Sequence, residues 1–428
     1  MPEHRDAENL REPSRFGFAV RALRHRNYRL FFGGQGLSVI GTWMTQVATS
    51  WLVYRLTKSP LLLGLVSFSG QVPAVLLTPF AGVWVDRWDR RTVLKTTQVL
   101  AMIQSLTLAF LALSGRIDIW HVLVLSMFQG AINAFDIPAR QTFVVEMIED
   151  RADLSNAIAL NSSMMNGARL VGPSIAGILI AKFGEGYCFL IDGISYIAVI
   201  VSLMLMNTVP GEPRMHEKLF SELKTGLRYV RNFDPIRSIL LLIAFLSFVA
   251  LPYTVLLPVF VSTVLHGGPN TFGFLTGAAG LGAFTSAVVL AMRKSIIGLG
   301  KRMALTSFTL GASLILFGFS HSIYLSMPLM LIAGFSMMQV LAAGNTIMQT
   351  IVDEDKRGRV MSFYSLTFVG ITPFGSLVAG SIANRIGAPA TVIIGGVLCL
   401  FGAAWFYSRL EAIRKIVRPL YAERGILP

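Results

Sequence analysis

The chain has 428 residues, of which 54% are hydrophobic and only 14% charged, with a mean hydropathy of +0.62 and a formal net charge of +14. A soluble domain carries about 25% charged residues, so soluble classes are excluded; the length fits about a dozen membrane spans of roughly 20 residues plus loops. Nucleic-acid binding is excluded by pattern, because the Lys and Arg cluster between apolar runs and form no basic groove interleaved with aromatics.

In chain order, residues 1–29 read as a basic cytoplasmic tail with no cleavable leader, followed by a signal anchor that stays in the bilayer. Twelve transmembrane helices are expected, near 30–54, 61–85, 92–114, 119–139, 156–183, 187–209, 238–264, 271–292, 302–320, 323–347, 360–384 and 388–408. The fold class is therefore all-α, with a six-helix half at 30–209 and a second at 238–408. Residues 210–237 alternate Lys and Arg with Leu, Phe and Tyr, and read as an amphipathic cytoplasmic linker on the membrane surface. Residues 409–428 read as a cytoplasmic tail. Placing both termini in the cytoplasm puts 31 of the 37 Lys and Arg inside, with five outside and Arg169 within a span. The reverse orientation opposes the positive-inside bias.

Span 1 carries Gln35, Ser38, Thr42, Gln46 and Thr49 at helical spacing, a polar stripe that reads either as a pathway wall or as helix–helix hydrogen bonding. Between spans 2 and 3 stands Gly82-Val-Trp-Val-Asp86-Arg87-Trp-Asp89-Arg90-Arg91, a charged run that must lie outside the hydrocarbon. Asp136 near the end of span 4 is a candidate proton site, with a competing role in pairing with Arg140 or with the 86–91 loop. In span 5, Ser162, Asn166, Arg169 and Pro173 share one helix face. A mid-membrane Arg costs at least about 2.5–3.5 kcal/mol, so Arg169 must face a cavity or a partner. It could bind an anionic substrate, neutralise a proton-carrying acid, or anchor two helices. Gly172-Pro173-Ser-Ile-Ala-Gly177 supplies small residues for close helix packing, and Gly375-Ser-Leu-Val-Ala-Gly380 echoes it in span 11. Asp192 in span 6 is the second proton-coupling candidate, with an outer cap or gate as its alternative. Gln339 in span 10 is a further candidate substrate contact.

The 82–91 run resembles the loop between spans 2 and 3 of the major facilitator superfamily, with Asp89 where Gly is usual. The resemblance implies two six-helix halves and a gating role for Gly82, Asp86, Arg87, Arg90 and Arg91, latching the halves in the outward-open state. Gly172-Pro173-x-x-Ala176-Gly177 resembles the helix-5 element of superfamily antiporters, which implies export. Ala22-Leu-Arg-His-Arg-Asn-Tyr-Arg29, Phe135-Asp136-Ile-Pro138-Ala-Arg140-Gln141 and Asn166-x-x-Arg169-x-x-Gly172-Pro173 are similar to the bacterial enterobactin-exporter and drug-efflux subfamily. The span-4 Arg of many proton antiporters is Ser126 here, so proton coupling rests on family expectation.

Metalloprotease, nucleophile-elbow and P-loop motifs are absent, which argues against an enzyme. Cys188 and Cys399 read as packing residues, and no cofactor or metal is expected. The expected function is secondary active export of a small amphipathic molecule, a drug or siderophore-like metabolite, across a bacterial inner membrane. Its expected partners are that substrate, protons and the lipid bilayer, with the chain acting as a monomer. A lysophospholipid flippase of the same fold is the alternative.

Overall fold

A computed structural model of the chain describes residues 20–207, 219–293 and 295–426; for 79, 83, 86, 219–225 and 355 only the backbone is described. The described residues are helical, with no strand among them. The first half contains α1 (Arg26–Thr57), α2 (Pro60–Arg87), α3 (Arg90–Leu113), α4 (Ile119–Glu146), α5 (Leu154–Phe183) and α6 (Glu185–Leu205). A surface helix, α7 (Leu219–Asn232), precedes the second half: α8 (Asp234–Val249), α9 (Tyr253–Thr263), α10 (Pro269–Ala291), α11 (Leu299–Gly318), α12 (Ile323–Ile351), α13 (Glu354–Ile386) and α14 (Ala388–Glu423).

Ten helical segments are long and apolar enough to cross a membrane, with α8 and α9 counted as one broken segment. The break follows from Pro252, which cannot donate to the helix ladder. α1 and α11 are not among the ten, because the α1 polar stripe and Lys301–Arg302 of α11 lower their hydropathy.

Local signals set the turns. Ser59 caps α2 by accepting from the Leu62 amide, and Pro60 stands in its first turn. Gly184 and Gly387, both with φ near +87, end α5 and α13 at equivalent places in the two halves (φ 88 and 86).

The packing repeats. In the first half α1 lies on α5 and α6, α3 on α4 and α6, and α2 on α4; in the second, α8 lies on α13 and α14, α11 on α12 and α14, and α10 on α12. The halves then meet along two equivalent seams, α5 on α10 and α2 on α13.

Several boundaries differ from expectation; α4 runs to Glu146 rather than 139, and α13 starts at Glu354 rather than 360. α8 begins at Asp234, where Phe233 and Pro235 start a new helix. α14 runs to Glu423, because Ile413 and Val417 face the core while Arg424 bonds the Val352 carbonyl at 3.2 Å. Of the linker, 208–218 lie outside the described residues, as does the tail 1–19. α7 docks on α13 through Gly226, where a β-carbon would meet the Phe363 ring at 2.8 Å, and through Tyr229 beneath the Lys356 ammonium at 5.0 Å.

Candidate functional site

The two seams close one end of the bundle, here termed the distal end, opposite the described chain termini. A β-carbon on Gly177 would stand 2.8 Å from the Pro269 carbonyl and 3.0 Å from the Gly273 Cα. The equivalent Gly380 would meet the Pro60 carbonyl at 2.6 Å and the Gly64 Cα at 3.1 Å. Only glycine permits these crossings. Trp51 of α1 stacks on Phe272 of α10 at 6.0 Å beside the first seam, and Phe68 meets Phe374 edge-on at 5.4 Å across the second.

Toward the terminal end the α5 contacts fall away. Gly280 of α10 meets the Arg169 carbonyl, at 2.5 Å from its notional β-carbon, whereas Gly167 has nothing within 4 Å. Ser162 and Ser163 are exposed. Backbone contact between α5 and α10 thus runs from Gly177 to Arg169 and is gone at Gly167, nearer the terminal end.

Gly172 serves a different contact from Gly177. It presses on α1, with Trp43 Cβ at 2.6 Å from its notional β-carbon. The Arg169 guanidinium then lies over the Trp43 ring, 5.5 Å from its centroid. Pro173 aims its carbonyl at Gly273 of α10.

The α1 stripe divides. Thr42 and Gln46 are exposed, whereas Gln35 and Ser38 are buried. The Thr42 hydroxyl donates to the Ser38 carbonyl at 3.1 Å, a common way for a helix to satisfy its own Thr. Asn166 is half-exposed and donates to the Ser162 carbonyl at 2.9 Å. Gln339 is fully buried between α10 and α12 and accepts from Ser286 at 3.1 Å. In this conformation Gln35, Ser38 and Gln339 do not reach open space.

Asp192 is buried in the first half among α1, α3 and α6. One carboxylate oxygen accepts from Thr45 at 3.0 Å and Ser105 at 2.9 Å. The other has no hydrogen-bond partner and lies where a β-carbon on Gly41 would be, at 2.7 Å. Asp136, by contrast, is satisfied. It accepts from Thr97 at 2.9 Å and Gln98 at 2.7 Å and pairs with Arg140, one turn on.

The charged run between α2 and α3 is sorted by helix-end chemistry. Asp89 replaces the usual glycine because it is the N-cap of α3, accepting from the Thr92 amide at 3.0 Å. Arg91 donates to the Leu203 and Met204 carbonyls at 2.8 and 3.0 Å, placing a cation at the α6 C-terminus. Arg90 pairs with Glu146 of α4. Arg87 is exposed and Gly82 half-exposed, and the Asp86 side chain lies outside the described side chains. These described partners of Arg90 and Arg91 all belong to the first half.

Sequence reasoning missed the clasp that the Ala22–Arg29 segment makes. Asp153 takes Arg21 at 3.0 Å, Arg24 at 2.7 Å and His25 at 2.9 Å. Tyr28 donates to the Ala157 carbonyl at 2.7 Å, and Asn27 bonds both polar groups of the Asn207 backbone. The signal was an Arg- and His-rich turn ahead of α1 and an acidic loop ahead of α5, separated by about 130 residues.

Among the described residues no His, Cys, Asp and Glu group could hold a metal; His4 and His216 lie outside them. Cys188 and Cys399 are buried and free.

Two packed repeats, joined by equivalent helix crossings at the distal end, define a membrane transporter of the major facilitator superfamily rather than an enzyme. Residues 18–416 match the MFS_3 family model, described as a transmembrane secretion effector, and the chain belongs to that family. It is similar to the Staphyloferrin A transporter of Staphylococcus aureus, 27% identical over 89% of this chain and 96% of the relative. The multidrug efflux pump Tap of Mycolicibacterium fortuitum is 25% identical over 89% of this chain and 95% of its own. Macrolide efflux protein A of Streptococcus pyogenes is 20% identical over 92% and 99%. Among solved structures, the nucleoside transporter NupG superposes with a TM-score of 0.72 at 12% identity, covering 90% of this chain and 99% of that one. A bacterial homologue of the lysosomal transporter Spinster gives 0.70 at 14%, covering 91% and 98%. These two share the fold.

Proposed function

We propose that this protein is a secondary active exporter of a small amphipathic molecule, a drug or siderophore-like metabolite, working by alternating access in a bacterial inner membrane. The observation that carries the reading is the pair of glycine crossings that seal the distal end, with Arg169 where the α5–α10 contact ends, in a chain whose relatives are named for efflux and siderophore transport. The clustering of Lys and Arg at the terminal end supports a cytoplasmic location for both termini and so an opening toward the cytoplasm. Counting α1 and α11, the chain makes twelve crossings in halves 30–209 and 238–408, joined by 210–237, and works as a monomer.

Substrate enters from the cytoplasmic side and meets Asn166 before Arg169, with Thr42 level with Arg169 on α1 and Gln46 beyond it toward the distal end. Rocking of the halves then parts the seams and closes the inner end. In the outward-open state Arg87, Arg90, Arg91 and Asp86 latch the halves. The pairing of Arg90 with Glu146 holds the loop within the first half in the present state. Asp192 is the proton-coupling site, because one of its oxygens lacks a partner; Asp136, engaged by three donors, is structural.

The test is dye efflux from proton-energised cells at equal membrane expression, comparing the intact protein with Arg169→Ala and Asp192→Asn. Protonophore-sensitive efflux that disappears in Asp192→Asn supports the reading. Efflux indifferent to protonophore and to both substitutions overturns it, and stimulation by lysophospholipid alone favours the flippase.

A further inference from the structure

Ionised side chains inside the described helices are largely matched: Asp136 with Arg140, Glu185 with Arg55, and Arg90 with Glu146. Arg169 is different. No carboxylate among the described residues lies within ion-pair distance of it, and the group it lies against is the Trp43 ring. Asp192, the other deep charge without an ion pair, contacts α1 through Gly41 and Thr45, while Arg169 contacts α1 through Trp43. Gly41 and Thr45, four residues apart, share the α1 face toward Asp192, and Trp43 lies on the opposite face, so α1 stands between the two charges.

A guanidinium at mid-membrane depth without a counter-charge is costly, and the cost falls when an anion shares its site. The surroundings restrict which anion. Gly280 of α10 meets the Arg169 carbonyl, so the cation sits where the α5–α10 contact ends. Trp43 offers a planar apolar surface beside it. Asn166 offers a polar group one turn nearer the terminal end, and Thr42 and Gln46 offer others level with the cation and beyond it. A planar guanidinium beside an indole suits a carboxylate joined to an aromatic or apolar body.

We propose that the transported class is organic carboxylate anions, with Arg169 as the counter-charge where the α5–α10 contact ends and Trp43 as the surface for the apolar part. This rests on the exporter reading given above and narrows it from amphipathic molecules in general to anionic ones. Because Arg169 borders the α5–α10 seam, a carboxylate there also neutralises a charge beside the contact that parts.

Carboxyfluorescein and rhodamine 123 share a xanthene ring and carry opposite charge. Binding of each to the purified full chain in lipid nanodiscs, read by fluorescence polarisation, tests the proposal without reference to transport direction. The wild type should bind carboxyfluorescein and discriminate against rhodamine 123. Arg169→Gln should weaken carboxyfluorescein roughly 10- to 100-fold, the range for losing a hydrogen bond to a charged group. Arg169→Lys should restore most of the binding, and a monodisperse elution profile shows that each variant is folded. A wild type that does not bind carboxyfluorescein, or an Arg169→Gln protein that binds it undiminished, overturns the proposal. Efflux of rhodamine 123 by a protein that ignores carboxyfluorescein would retain the exporter and discard the anion; binding of carboxyfluorescein without efflux would do the reverse.

Discussion

Gly177 of α5 and Gly273 of α10 cross at backbone contact, such that a β-carbon on Gly273 would lie 2.8 Å from the Gly177 Cα and 2.5 Å from the Pro173 carbonyl. Neither obstacle is a flexible side chain, so the halves can meet here only without side chains. Gly273→Leu should hold the distal end apart. Spin labels at Arg116 and His321, on distal loops of opposite halves, should report a longer separation than in wild type, and efflux should fall at least about tenfold. An unchanged distance distribution would mean that this crossing does not seal the bundle.

Asp192→Asn should separate binding from coupling. The amide keeps the shape of the site and can still bond Thr45 and Ser105, but cannot exchange a proton. Uphill efflux should drop by about tenfold or more, while downhill substrate exchange persists, since general acid–base groups contribute on that scale. Loss of both activities together would make Asp192 a structural residue.

Glu146 holds Arg90 within the first half in this state. Glu146→Gln should weaken that hold and shift the population toward the distal-open state, visible as a second peak in the same spin-label distances. No change in population would argue that the loop does not switch partners.

Tyr28 is fully buried, and its hydroxyl ties α1 to the Ala157 carbonyl of α5. Tyr28→Phe should cost about 1 kcal/mol, the net worth of one buried hydrogen bond. Thermal unfolding in detergent reads it, and a wild-type midpoint would show the clasp to be dispensable.

The far end of α14 is held by a titratable contact. The Lys356 hydrogen bond, aided by the charges of Lys356 and Arg424, holds the Asp353 carboxyl below its ordinary range. A depressed carboxyl stabilises the fold above its unfolded pKa, and that contribution is lost as pH falls through the lower, folded value. Wild type should therefore exceed Asp353→Asn in melting temperature at pH 7, with the gap closing below about pH 4. A gap independent of pH would assign the contact to geometry rather than charge.

The spans and the repeat were legible in the chain because hydropathy and small-residue motifs are local. Gly172-Pro173 and Gly375 stand at matching places, and each abuts the first helix of its own half: Gly172 meets Trp43 of α1, and Gly375 meets the Phe248 carbonyl of α8 at 2.4 Å from its notional β-carbon. The expected end of span 12 at 408 fell short because the following residues are polar on average. Their apolar positions at 413 and 417 matter only once α14 has a neighbour to bury them.

The candidate site was legible in residue type and much less in environment. Composition, charge asymmetry and helical spacing by themselves determined a multi-span helical protein, placed Arg169 deep in a span, and put Thr42 and Gln46 on one stripe with Gln35 and Ser38. Those are properties of the chain taken a turn at a time. Which members of the stripe reach open space, which acid keeps an unpartnered oxygen, and which cation lacks an acid were decided by the tertiary structure alone. Burial and pairing depend on helices brought together from distant parts of the chain: Asp192 meets Thr45 and Ser105, Asp153 meets Arg21, and Arg169 meets Trp43.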